Sequence, residues 1–168
     1  KLSIGSVLSY SIRDGTYCGL GLWGVNQLIE DLTWKDNHKS FRAAQLLSNL
    51  AISDHEKRML VDFAKLYDVA KNPKFVMARH SLQRIWQVVL AGEEQKDMIM
   101  NHLIEGFKSW TDEKNYTLIR FDIVNGFKNL SVHLNDEEIK LKALKLIKLE
   151  EEIKYRKKYT RIWNEKRR

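Results

Sequence analysis

SFRAAQLLSNL (residues 40–50), VMARHSLQRIW (76–86) and LIRFDIVNGFKNL (118–130) align when laid under one another. Each opens on one or two apolar residues, continues with an arginine and then carries an apolar ladder at helical spacing. The arginines are Arg42, Arg79 and Arg120, 37 and 41 residues apart. A second marker agrees: Trp34 and Trp110 each close the preceding segment, sit in Trp-x-Asp and lie 76 residues apart, two periods of 38. Asn37, Asn72 and Asn115 stand in the loops between. A period of this size holds two helices, and a helix pair that cannot bury its apolar face alone must bury it against the next pair.

Helical spacing continues beyond the aligned strings, as in Leu60, Phe63, Ala64 and Tyr67, or Leu82, Ile85, Trp86 and Val89. One proline and eight glycines are too few for a chain of short strands, each of which needs its own turn. Breakers at Asp14-Gly15, Lys35 to Lys39, Ser53-Asp54, Asn72-Pro73, Gly92 to Glu94, Asp112 to Asn115 and Asn135-Asp136 predict helices over 3–12, 15–33, 39–52, 54–71, 73–91, 94–111, 116–133 and 136–163. Short loops between helices of this length make neighbours antiparallel.

The arginine near the start of a second helix, followed by apolar positions at about i+3, i+4 and i+7, resembles the HEAT pattern of the HEAT and armadillo repeat proteins. The resemblance covers roughly residues 15 to 150. It implies an all-α fold, a right-handed α-α superhelix of about 3.5 helix pairs forming one domain over 1–168, with units at 15–52, 54–91 and 94–133 and a capping helix at 136–163. Asp122, two residues after Arg120, fits that family's polar ladder, in which charges of successive repeats bridge one another. Arg42 and Arg79 lack an acid at that offset and depart from the pattern. The second helix of each pair conventionally faces inward in such stacks. The resemblance therefore implies a concave row of Arg42, Arg79, His80, Arg84, Arg120 and Asp122, able either to bridge repeat to repeat or to hold an acidic peptide or a phosphate backbone.

The net charge of +7 is unevenly spread along the chain. Residues 139–168 hold 12 Lys or Arg against 4 Glu, whereas residues 1–138 hold 17 against 18. On this count the body is neutral and any basic footprint belongs to the last helix. There Leu146, Leu149, Ile153, Tyr155, Tyr159, Ile162 and Trp163 trace an apolar side, and Lys154, Lys157, Lys158 and Arg161 the other. Glu150 with Lys154 and Glu152 with Arg156 are spaced as i, i+4 pairs, so the helix is expected to run through this stretch. The basic side suits nucleic acid, an anionic surface or an acidic partner; equally, it is the polar outer side that a capping helix needs.

Several chemistries find no footing in the sequence. Gly19-Leu20-Gly21-Leu22-Trp23-Gly24 spells a dinucleotide fingerprint, but no strand delivers it to a helix start. His38, His55, His80, His102 and His133 show neither i, i+4 pairing nor a zinc-protease motif, so no metal is expected. Cys18 is the single cysteine, which rules out an internal disulfide and suggests a reducing, intracellular location. No run of about 18 apolar residues is present, and the first residue, Lys1, leaves room for sequence ahead of it.

The expected function is a non-catalytic scaffold, without cofactor, that binds another macromolecule on its concave face, in first place a protein. The alternative is a nucleic-acid-binding protein acting through the basic C-terminal helix. That alternative extends to a base-repair role of the alkylated-base glycosylase kind if Trp34, Trp110 and their acids face inward; the repeat of both tryptophans at helix ends equally marks them as plugs between helices.

Overall fold

Acids and asparagines at the breaks set the helix boundaries. In the computed structural model, which describes residues 22–33, 36–54, 57–71, 75–111 and 115–164, eight α-helices follow one another with no strand among the described residues. They are α1 (Leu22–Leu32), α2 (Asn37–Leu50), α3 (Arg58–Val69), α4 (Phe75–Ile85), α5 (Glu93–Ser109), α6 (Tyr116–Leu134), α7 (Glu137–Ile147) and α8 (Ile153–Asn164). Short 3-10 turns extend α2 over Ala51–Ser53 and α4 over Trp86–Ala91. The helix expected over 3–12, Cys18 and most of the Gly19–Gly24 string lie outside the described residues.

The start signals work as acceptors for free N–H groups. Asp36 accepts from the His38 amide at 2.9 Å and opens α2. Asp54 accepts from the amides of Arg58 (3.0 Å) and Met59 (2.7 Å), capping α3 from across the preceding loop. Asp136 accepts from Glu138 and Ile139 and opens α7, whose first turn also carries Glu137 and Glu138 where the helix dipole favours negative charge. Asn115 and Asn135, at φ 70° and 50°, bracket α6 in the left-handed conformation that asparagine tolerates better than most side chains.

Packing follows an alternating rule. Each helix packs on its successor, α4 meeting α5 through the 3-10 turn over Trp86–Ala91, and also on the next but one: α1 on α3, α3 on α5 and α5 on α7; α2 on α4, α4 on α6 and α6 on α8. Odd-numbered helices thus form one layer and even-numbered helices the other, with a single apolar core between them. Ala43, Ala44 and Leu47 of α2, Phe63 and Leu66 of α3, Leu82 and Ile85 of α4, Leu103 and Phe107 of α5, Phe127 and Leu130 of α6 and Tyr159 of α8 are at most 2% exposed and fill it. Helix α6 is the most enclosed, touching α4, α5, α7, α8 and the 3-10 turn after α4. Nine of its residues are buried, charged Arg120 and Asp122 among them.

The chain after Asp136 departs from the single helix expected over 136–163. It forms two helices, α7 and α8, with a break at 148–152. The cause is Glu150, 1% exposed, whose carboxylate turns inward to Arg120 instead of outward to Lys154. Its own backbone carbonyl accepts from Arg156 Nε (2.9 Å) and Nη2 (2.6 Å), which takes Arg156 away from the expected pairing with Glu152. The break also re-aims the apolar side: Leu146, Tyr159 and Ile162 are buried, Tyr155 and Trp163 are half-buried, and Leu149 and Ile153 stand exposed. In place of one long capping helix there is a fourth pair.

Candidate functional site

The six candidate residues of the even layer divide into bridges and exposed groups. Arg79 on α4 reaches Asp122 on α6 in a two-pronged ion pair, Nε to Oδ2 at 2.5 Å and Nη2 to Oδ1 at 2.8 Å, and Gln83 Nε2 adds a bond to Oδ1 at 3.1 Å. The hydrogen bond to Asp122 holds the Arg79 guanidinium above its ordinary pKa, against burial and with the help of the carboxylate's charge. Arg120 is more deeply set. Its Nη1 donates to Glu150 Oε2 at 2.8 Å, its Nε donates to the Phe107 carbonyl at 2.9 Å, and its plane lies 4.7 Å from the Phe107 ring and 5.1 Å from the Tyr116 ring. Side-chain exposure is 8% for Arg120 and 1% for Glu150, so this pair is sealed from solvent.

The first bridge is a rung between successive even helices, and the second ties α6 to the 148–152 segment that leads into α8. Arg79 needs no acid at its own offset because it borrows the acid of the following segment. Between α2 and α4 the rung is missing: Ser81 stands where Asp122 stands one unit on, its Oγ directed to the Met77 carbonyl. In its place Phe41 stacks on His80 at 5.4 Å and Gln45 Nε2 donates to the His80 carbonyl at 3.3 Å. Glu150 and Gln83 are the members that the sequence reading missed. Glu150 is thirty residues from its partner, and i, i+4 spacing offered it a nearer one.

The remaining candidates face solvent. Arg42, His80, Arg84, Lys154, Lys157, Lys158 and Arg161 are all exposed. Among the described residues none of these cations lies within ion-pair distance of a carboxylate. His80 and Arg84, like Lys154 and Lys158, are four residues apart and so share one stripe of their helix. The stripes lie side by side, because Phe41 meets His80 across α2 and α4, and Lys158 Nζ sits 4.7 Å from the Phe121 ring across α6 and α8. Lys157 and Arg161, with Ile153, Arg156, Thr160 and Asn164, also line an open cleft of about 360 Å³ along α8.

Sorting charge by layer, and not along the chain, changes the electrostatic reading. Helices α2, α4, α6 and α8 carry eleven Lys or Arg and a single acid, Asp122, which is already bridged. Helices α1, α3, α5 and α7 carry ten acids against seven Lys or Arg. The neutrality of residues 1–138 is an average over two layers of opposite sign, and the cationic surface extends from α8 back to α2.

The other singled-out residues take part in packing. Trp110 ends α5, half-buried, stacked on Tyr67 at 5.6 Å; Trp34 and Asp112 lie outside the described residues. Tyr67 donates to the His102 carbonyl at 2.8 Å, and burial, with the Glu105 charge, pushes its phenol well above its ordinary pKa. His102 lies 5.0 Å from the Phe63 ring and 4.8 Å from that of Tyr67; burial first, and then Lys71, lower its pKa. His38 meets Phe41, and His133 meets Trp86. Among the described residues no three His, Cys, Asp or Glu gather where a metal ion would fit, and no helix is long and apolar enough to cross a membrane.

No family model, curated protein or solved structure matches this chain. What the even layer can do chemically follows from its own residues: it offers exposed guanidinium and ammonium donors on α2, α4 and α8.

Proposed function

We propose that this protein is a non-catalytic helical-repeat scaffold of the HEAT or armadillo kind, a superhelical stack of helix pairs that holds another macromolecule along its even-numbered helices. The observation that carries this reading is the next-but-one packing of α2, α4, α6 and α8, which sets their exposed stripes in one continuous surface. Two features support it. The Arg79–Asp122 bridge joins consecutive even helices as a polar ladder does in stacked repeats, and the Arg120–Glu150 bridge ties α6 to the segment leading into α8. Arg42, Arg84, Lys154, Lys157, Lys158 and Arg161 of the even layer are exposed with no carboxylate at ion-pair distance among the described residues, whereas most ion pairs of the odd layer run along one helix. A surface that extends with the number of repeats suits an elongated partner.

The test compares faces. A photo-crosslinking side chain placed at His80 or Asn125 (even layer) and at Lys65 or Asn101 (odd layer) is irradiated in extract of the cells the chain comes from. Discrete adducts from the even positions alone are the expected result. Adducts from the odd positions alone, or equal yields from both faces, would remove the proposal.

A further inference from the structure

We infer that the macromolecule held by the even layer is a nucleic acid, gripped through its phosphate backbone by the row that runs from Arg42 through Arg84 to Lys158 and Arg161. The inference rests on the scaffold reading above and names the partner of that same surface. Four observations carry it.

The sign of the surface is uniform. The even layer's single acid is consumed inside the Arg79 bridge, so no exposed carboxylate in these four helices repels an incoming phosphate. Protein partners are recognised by patterns of both signs around an apolar centre, and this layer offers neither. Its exposed large apolar residues, Val76, Val132, Leu134 and Ile153, stand at the first turn of α4, the last turn of α6 and the first residue of α8, Ile153 beside Lys157 and Arg161 in the α8 cleft. A face whose exposed charges share one sign and whose exposed apolar residues are few matches protein–nucleic acid interfaces.

The cations are held ready and unneutralised. In the odd layer five of the seven cations find a carboxylate: Arg58 and Lys65 share Asp62, Lys96 bridges Glu93 and Asp136, Lys140 meets Glu137 and Lys142 meets Glu138. Arg42, Arg84, Lys154, Lys157, Lys158 and Arg161 have no such partner among the described residues, so a phosphate oxygen displaces no ion pair when it arrives.

The length is appropriate. Neighbouring helices pack about 8–10 Å apart, so the stripes of α2, α4, α6 and α8 span about 24–30 Å. One turn of duplex is about 34 Å long, and the row meets most of a turn of one backbone.

Finally, uncharged amides lie among the cations. Gln45 and Asn49 on α2, Gln83 on α4 and Asn125 and Asn129 on α6 are exposed or half-buried; Gln45, Gln83 and Asn125 each spend one amide N–H inside the layer and keep the second for a phosphate. Amides of this kind are part of the ordinary contact with phosphate and sugar. Because none of these groups projects on a helix end or arm shaped for a groove, recognition is of the backbone and independent of base sequence.

The test uses the full chain with a fluorescein-labelled 20-base-pair duplex, its single strand, and poly-L-glutamate as a polyanion of protein chemistry. Binding is read by anisotropy from 50 to 300 mM NaCl. The expected result is saturable oligonucleotide binding that weakens log-linearly with salt, each phosphate contact contributing about −0.9 to the slope. Arg42→Ser/Arg84→Ser/Lys158→Ser together should lower affinity at 100 mM salt at least tenfold and flatten the slope by about 2 to 3 units. The odd-layer control Lys65→Ser/Lys108→Ser should change neither. Circular dichroism of the triple variant, all three positions being exposed, verifies that it is folded. If poly-L-glutamate binds through the same three residues and neither oligonucleotide does, the nucleic-acid inference falls and the scaffold reading stands. If oligonucleotide binding survives the triple variant but is lost in the odd-layer control, both fall.

Discussion

The two layers of this protein use the same charged side chains in opposite ways. In the odd layer most ion pairs run along a single helix at i, i+3 or i, i+4, and pairs such as Lys142–Glu138 lie in solvent, exposed by 49% and 71%. In the even layer Arg79 and Arg120 are bridged to acids outside their own helix, and Arg42, Arg84, Lys154, Lys157, Lys158 and Arg161 stand exposed with no carboxylate at ion-pair distance among the described residues. The first arrangement adds solubility and a few tenths of a kcal/mol per pair. The second fixes how successive helix pairs sit on each other and leaves a directed field outside. What differs is where the counter-charge mostly stands: on the same helix in one layer, and outside the helix in the bridges of the other.

That contrast breaks most readily at Arg120. Arg120→Ala leaves Glu150 buried without its partner and should cost about 3–5 kcal/mol, read as a lowered urea midpoint. Arg120→Met combined with Glu150→Met should recover much of this loss, since a buried bridge replaced by apolar volume is close to neutral. A double variant as unstable as Arg120→Ala would show that packing, and not the charge pair, is what the site supplies. In the odd layer the matching vulnerability is steric. A Cβ on Gly106 would lie 2.8 Å from Tyr67 Oη and 3.5 Å from the Trp110 ring, so Gly106→Ala should destabilise by about 1–3 kcal/mol, recovered in part by Tyr67→Phe.

Smaller effects sharpen the comparison. The unneutralised even face repels itself, so added NaCl between 20 and 300 mM should raise the melting temperature by a few degrees; with Arg42, Arg84 and Lys158 all changed to Ser the rise should shrink. A melting temperature independent of salt in the parent protein would mean that the face is neutralised in some other way. His102, whose folded pKa lies below that of the unfolded chain, gains a proton more easily when unfolded. Stability is therefore full at neutral pH and falls as pH drops through the ordinary histidine range near 6.5, and His102→Gln should weaken that dependence. Last, Lys142→Ala should shift stability by less than about 0.5 kcal/mol; a larger loss would erase the distinction between the layers.

The sequence made part of this legible. Apolar spacing and the Ser, Asp and Asn breakers located the helices because both are local properties of the chain. The aligned arginines pointed at Arg79 and Arg120, each of which bridges to an acid outside its own helix, and at Arg42, which has no such bridge among the described residues. Glu150 escaped notice because its partner lies in another helix pair, and a helix-long register of charge concealed the break it causes. The cationic layer escaped for a related reason. Helices alternate between layers, so any sum along the chain mixes them, and only the knowledge of which helix packs on which separates the eleven cations from the ten acids.

The Arg120–Glu150 bridge has a further consequence for the newborn chain. Arg79 and Asp122 are both available once α6 has emerged, so that helix can settle on α4 at once. Arg120 must then wait for a carboxylate thirty residues downstream, a delay of roughly two to six seconds at ordinary rates of synthesis. During that interval one flank of α6 stays hydrated; residue 150 neutralises Arg120, and α8, which follows it, brings Tyr159 to cover what is left.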